Sequence, residues 1–395
     1  MIRTTTNAVL KNYRYNLQKS NNKMNQTMNT VLTGRNFNSF AEDPAAASRC
    51  FQLRRSFQRV QSQLKVCESV GMKYDVSYKA LEGIIDDIDN RAGDSVLGEL
   101  INGQSDTAGA GRHALGQTMG ELANSIVHTM NSAKYGDTFA FAGADGLNVP
   151  FTWDDEGGLC YRGIPVDSHV PEVEMDGDVP KEFNNAEPPV ATVGGGYYKT
   201  KDGQMISKAE YDKEKKNVEA LEYMSKDEKK YVDIGLGLKE DENGKVIETS
   251  AFDSSLQGIN YLGYGVDEDG DPKNIVSLIG KMSSILKNSD PNTGEFKNGE
   301  ADREELSRLA DKFSVATNKL KEKHVELTSR SSFLQDNQKL LTADSDTLNA
   351  QIVGIERPDP ADSISDFIWA KYCYNTALKV GNSILSQSLM DFLNA

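Results

Sequence analysis

Apolar residues recur along this chain with the period of a helix, and in two stretches they do so for far longer than a globular helix needs. The positions Leu53, Phe57, Val60, Leu64, Cys67, Gly71, Tyr74, Tyr78, Leu81, Ile85 and Ile88 step alternately by four and three, and all but Gly71 are apolar or aromatic. That is the seam of a coiled coil. A second column repeats every seven residues through Leu306, Phe313, Leu320, Leu327, Leu334, Leu341, Leu348 and Ile355. Its companion column begins apolar at Leu309 and Ala316, then turns polar at Lys323, Arg330, Asn337 and Asp344. One stripe of this helix is expected to be buried while its flank meets unlike neighbours.

Thinner helices are predicted at both ends. Residues 10–32 place Leu10, Leu17, Met24 and Val31 in one column, among Asn, Gln, Thr and Lys. A stripe this narrow does not hold a helix by itself, so a partner helix is required. Gly34 suits the stop of this helix. Asp43 and Pro44 suit the N-cap and first position of the next. Arg357–Pro358–Asp359–Pro360 ends the long C-terminal helix. A last helix, about 361–393, carries Ile364, Phe367, Ile368, Tyr374, Leu378, Ile384, Leu385, Leu389 and Phe392. The first 41 residues contain basic residues and no acid, whereas the last segment carries Asp359, Asp362, Asp366 and Asp391 against two lysines. Two thin amphipathic helices of opposite charge are candidates to pair with each other.

Between the long helices the pattern changes. A helix from about 112 to 135 sets Leu115, Met119, Leu122, Ile126 and Met130 on one face. Residues 136–163 then mix aromatics with turn pairs at Asp145–Gly146 and Gly157–Gly158, which reads as β-hairpins. Further hairpins are expected around Asp202–Gly203 and Asn243–Gly244. The charged stretch 207–229 between them is a helical insert or a solvated face. The expected fold is mainly α with a smaller β-rich insertion, built as a long antiparallel helical bundle from the N- and C-terminal segments, with three domains. Residues 1–40 and 358–395 form a terminal coiled coil, disordered in the monomer. Residues 41–137 and 300–357 form a helical shaft, and 138–299 a β-rich variable outer domain.

Bulk composition narrows the function classes. The chain has 395 residues, a net charge of −15 and 38% hydrophobic residues. No run approaches the roughly 18 apolar residues of a membrane span, and no Sec-type signal peptide opens the chain. Any export is expected to use another route. Residues 1–65 hold eleven Lys and Arg against only Glu42 and Asp43, which raises a nucleic-acid arm or a transit peptide as readings. Arg49, Arg54, Arg55 and Arg59 are spread round the helix, however, and the seam runs on without a cleavage-like break, so neither reading is adopted. Cys50, Cys67, Cys160 and Cys373 form neither a CxxC pair nor a disulfide framework. His113, His128, His169 and His324 are scattered. Asp267, Asp269 and Asp271 fit the first positions of a calcium loop, but Pro272 and Leu278 stand where Gly and Glu are needed, so a turn is expected. "GAGRHALG" lacks the Lys-Ser/Thr of a phosphate loop. No catalytic constellation emerges, and no enzyme activity, cofactor or metal is expected.

"FNSFAEDPAAASRCFQLRRSFQRV" (37–60) resembles the signature region of the bacterial flagellin family. Glu42–Ser48 is more like the hook-associated members at the hook–filament junction than the filament members. "MIRTTTN", "FAFAGADGLNVPF" (139–151) and "ILSQSLMDFLNA" agree. The resemblance covers roughly 1–160 and 300–395. It implies a non-enzymatic structural protein of the flagellum, exported unfolded through the flagellar type III channel and assembled as a ring outside the cell. It implies self-assembly, contact with a neighbouring hook-associated protein and with hook and filament subunits, and an export chaperone at the C-terminal region. No nucleic acid or membrane insertion is implied. The residues expected to pack between subunits are Leu10, Leu17, Met24, Val31, Arg54, Arg55, Phe367, Tyr374, Ile384, Leu385, Leu389 and Phe392. A filament flagellin is the rival reading, and a secreted effector or enzyme using the middle domain a more distant one.

Overall fold

The computed structural model describes residues 6–93, 108–185, 188–290 and 295–393. Helices in chain order are α1 (Thr6–Thr33), α2 (Pro44–Ala92), α3 (Ala108–Ser132), α4 (Lys208–Lys226), the single turn α5 (Ile259–Leu262), α6 (Ile275–Lys287), α7 (Glu300–Glu356) and α8 (Pro360–Leu393). The fold is mainly α with a smaller β-rich insertion. Two compact units form: the residues up to 64 with those from 339, and residues 65–338.

In the first unit, α1 and α8 pair antiparallel. The Tyr13 ring lies where any side chain at Gly381 would sit, so only glycine lets the two helices approach there. At the opposite end Val31 and Ile364 line one shared groove. The start of α2 and the end of α7 also run antiparallel, with Arg54 against Glu356 at 2.7 Å and Gln61 donating to Ser345 Oγ at 2.6 Å. The stop and start signals act as local chemistry requires. Gly34 has a φ of +63° and donates to Thr30 O, a left-handed helix stop. Asp43 Oδ1 accepts from Ala46 N at 3.0 Å, the N-cap of α2. Asn36 donates from its backbone N to Glu356 O and from Nδ2 to Ile355 O, at 2.8 and 2.9 Å. The loop after α1 thereby satisfies carbonyls at the end of α7 that have no partner within their helix.

In the second unit α2 and α7 again lie antiparallel. Tyr78 stacks on His324 at 4.6 Å, and Asp89 pairs with Lys321 at 2.9 Å. Every position of the expected α2 seam is buried or half-buried, and from Cys67 onward the deepest stripe also takes in Val70, Ser77 and Ile84. On α7 the predicted column is buried from Leu306 through Leu341, whereas Leu348 and Ile355 are half-buried. There Ser345 and Ile352 take the inner positions. Arg330 lies over the rings of Tyr74 and Phe252, and the Tyr74 hydroxyl donates to Asp253 O at 3.2 Å. Beside it Lys73 Nζ donates to Ser254 O at 2.9 Å, with burial lowering its ammonium to about 8. These contacts tie residues 252–254 to both long helices.

The α3 column Leu115, Met119, Leu122, Ile126 and Met130 is wholly buried. It crosses α6 at Gly116, where an added Cβ would stand 2.9 Å from Lys287 N, and Ser283 Oγ donates to Gly116 O at 2.6 Å. Helix α6 falls within the stretch expected to be β-rich. Asn274 caps it by accepting from Val276 N and Ser277 N, and Ile275, Leu278, Ile279, Met282 and Leu286 fill its inner face.

The strands are short antiparallel ribbons: 134–135 with 138–139, 151–153 with 159–161 and 164–165, 175–176 with 179–180, 182–183 with 197–199 and 205–207, and 231–232 with 252–253. The turns expected at Gly157–Gly158 and Asp202–Gly203 join paired strands. At Asn243–Gly244 the turn forms, but a single bridge between Glu240 and Val246 flanks it instead of a hairpin. At Asp145–Gly146 no hairpin turn forms: the turn between the paired strands is at Gly136–Asp137, and Gly146 O instead accepts from Phe139 N. The charged stretch 207–229 supplies α4, capped by Ser207 and anchored through buried Leu221 and Met224.

Candidate assembly surface

The α1–α8 pair buries little of its apolar surface. Along α1, Leu10, Leu17 and Met24 are half-buried and Val31 is exposed. On α8 the inner face is mostly small: Ser363, Ala370 and Gly381 are buried, with Phe367, Tyr374 and Ala377 half-buried. Small residues permit close helix approach but remove little area from water. Other large side chains of α8 lie outside that contact. Ile368 is 61% exposed, Tyr372 63% and Trp369 67%, with Trp369 and Tyr372 stacked at 5.8 Å.

Two grooves, each of about 530 Å³, mark this surface. One lies among Val9, Tyr13, Leu17, Trp369, Tyr372 and Val380. The other lies among Val31, Gly34, Arg35, Pro358 and Ile364. Exposed apolar side chains grouped on one helix pair make this a candidate interaction surface. Of the residues expected to pack between subunits, Leu10, Leu17, Met24, Phe367 and Tyr374 are half-buried and Val31 is exposed. Ile384, Leu385, Leu389 and Phe392 fall outside the described side chains. Sequence reading passed over Val9, Trp369, Tyr372 and Val380. Their signal was present as a second apolar flank, offset from the main column.

The basic start of α2 has a partner inside the chain. Glu356 accepts from Arg54 at 2.7 Å and from Cys50 Sγ at 2.8 Å. Burial alone would raise the Glu356 carboxyl, but bonds from Cys50 and Arg54 and the charge of Arg54 and Arg35 hold it below its ordinary value. Burial, then Glu356, pushes the Cys50 thiol up. Arg55, by contrast, is exposed with no ion pair among the described residues.

The acidic loop resembling a calcium site is a turn held by a lysine. Asp267, Asp269 and Asp271 converge within 4.8 Å. Lys312 Nζ stands 2.7, 2.8 and 2.7 Å from their carboxylates, and Arg308 Nε lies 2.8 Å from Asp271. Burial would raise the Asp271 carboxyl, but the bonds and charges of Arg308 and Lys312 bring it down to about 2. The same three acids raise Lys312 against its own burial. The ammonium supplies the positive charge that a cation would otherwise bring. No described helix is long and apolar enough to cross a membrane.

Residues 4–145 match the family model of the bacterial flagellin N-terminal helical region. Among solved structures it is similar to FlgL of Bacillus cereus, at 13% identity and a TM-score of 0.38, covering 76% of this chain and 99% of that one. It is similar to the flagellar hook associated protein-3 of Legionella pneumophila, at 11% and 0.43, covering 77% and 98%. It is also similar to FlgL of Xanthomonas campestris, at 14% and 0.41, covering 77% and 99%. No curated protein matches it in sequence.

Proposed function

We propose that this protein is a non-enzymatic structural subunit of the bacterial flagellum, assembled as a ring at the junction between hook and filament. The observation that carries the reading is the α1–α8 pair, whose large apolar side chains remain exposed along two grooves. In an assembled ring, neighbouring subunits cover those side chains. The flagellin-type N-terminal region supports the flagellar setting. The junction assignment rests on "EDPAAAS", on "FAFAGADGLNVPF" and on the C-terminal "SLMDFLNA". Because thin terminal helices are marginal alone, they suit export through the flagellar type III channel as unfolded chain, followed by ordering on assembly. An export chaperone holding the C-terminal region fits the same logic.

Electron microscopy of a strain lacking the protein tests the reading. Hooks should persist while filament protein is shed into the medium. Normal filaments in that strain would sink it. Purified protein should remain monomeric when seeded with filament fragments. Growth into long filaments would instead identify a filament flagellin.

A further inference from the structure

A cleft of about 570 Å³ lies in the second unit, one wall formed by α4 and another by the segment after α5. The assembly reading gives it no role, and it gives one to α4. Its floor is apolar, with Leu221 of α4 fully buried beneath it, and Tyr264 adds an aromatic wall. Its rim is cationic: Lys273 and Lys319 stand against the single acid Glu222. In a chain of net charge −15 this is a local reversal of sign. Neither lysine has an ion pair among the described residues, and both are exposed. Deeper in, Ser168 is only 5% exposed and its Oγ has no hydrogen-bond partner. A buried hydroxyl left unpaired in this way requires an explanation.

The frame of the cleft is fixed by backbone bonds. Ser168 N donates to Pro165 O, Gly265 N to Val166 O and Lys273 N to Gly265 O. Gly263, at a φ of +88°, runs so close to Lys273 O that a Cβ there would collide with it. Asn274 Nδ2 holds Gly263 O at 2.7 Å. The groups on the cleft are therefore presented on a preformed loop.

We propose that this cleft binds an acidic monosaccharide unit. Its carboxylate is taken by Lys273 and Lys319, its ring lies on Tyr264 above Leu221, and one of its hydroxyls pairs with Ser168 Oγ. A bare inorganic anion would leave the apolar floor and the aromatic wall uncovered. A neutral sugar would leave the two ammonium groups unanswered. This inference stands on the cleft alone and is independent of the junction reading.

The test uses the full chain in calorimetric titrations with glucuronate, glucose and inorganic phosphate. Glucuronate is expected to bind at least about tenfold more tightly than either comparison ligand. The double substitution Lys273→Glu with Lys319→Glu should weaken glucuronate by about tenfold or more. Ser168→Ala, which removes the orphan hydroxyl, should weaken it about threefold. Since both lysines are exposed, their exchange leaves the core intact. Glucuronate binding no tighter than glucose, phosphate binding as tight as glucuronate, or undiminished binding by the double variant would each overturn the proposal.

Discussion

Helices α1 and α3 carry the same kind of apolar column, yet end in opposite circumstances. The α3 residues Leu115, Met119, Leu122, Ile126 and Met130 are at most 7% exposed. On α1, Leu10, Leu17 and Met24 reach only half-burial. The difference lies in the facing helix. Helix α6 approaches α3 closely at Gly116 and still brings Leu278, Ile279, Met282 and Leu286 into a shared core. Helix α8 turns small residues toward α1 and leaves Ile368, Trp369 and Tyr372 outside. Stabilisation follows the apolar area withdrawn from water, at about 25 cal/mol per Å². The terminal pair therefore keeps in reserve what the second unit has already used.

The strongest test of that contrast sets a cavity against a truncation on the surface. Leu122→Ala should destabilise the monomer by about 2–5 kcal/mol in urea unfolding. Trp369→Ala should change monomer stability by no more than about 0.5 kcal/mol while abolishing incorporation into flagella. Equal destabilisation by the two substitutions would erase the distinction. Limited proteolysis reads the same difference without mutation. Roughly the first 40 and last 35 residues are expected to be cut first. Cleavage within 65–93 at the same rate as in the termini would count against it.

How far the sequence announces these structures depends on whether a single helix or a pair of elements decides them. The columns of α2, α3 and α7 are visible because one helix buries one stripe at a fixed period. Gly34, Asp43 and Pro44 are visible because capping is local. Helix α6 was hidden behind the turn residues of 267–272, although Asn274 before Ile275, Leu278 and Ile279 is a sound helix start. The pairing of Arg54 with Glu356 could not be read, because it joins positions 302 apart in the chain. The inner face of α8 was obscured for a related reason. Its small residues look unremarkable in sequence until Tyr13 is seen lying against Gly381.

The second unit also contains an electrostatic clamp with no counterpart among the described residues of the terminal pair, and acid should release it. Asp271 is 4% exposed in its side chain and held at about 2 by Arg308 and Lys312. A carboxyl lowered on folding contributes stability that is fully present above its unfolded value near 4. That contribution is lost as pH falls through about 2, and it amounts to roughly 2 kcal/mol. Stability of the second unit, followed by circular dichroism in urea, should fall between about pH 4 and 2. Lys312→Met should leave the start of that decline near pH 4, end it at higher pH and make the total loss smaller. An unchanged acid profile in the variant would show that Lys312 does not hold the loop.

The smallest expected effect on the monomer is at the start of α2, and it separates the pair's two arginines. Arg54 is 54% exposed in its side chain, so its ion pair with Glu356 is worth about 1 kcal/mol or less. Arg54→Glu places like charges together at a carboxylate that also accepts from Cys50, and should lower monomer stability by that small amount. Arg55→Glu breaks no ion pair among the described residues and should leave the monomer unchanged. If neighbouring subunits present acids to this face, both substitutions should still weaken assembly, with Arg55 acting through the neighbour alone. Normal incorporation of the Arg55→Glu subunit, alongside reduced incorporation of Arg54→Glu, would confine the role of this basic segment to the chain's own joint with α7. Full incorporation of the double variant would remove it from assembly altogether.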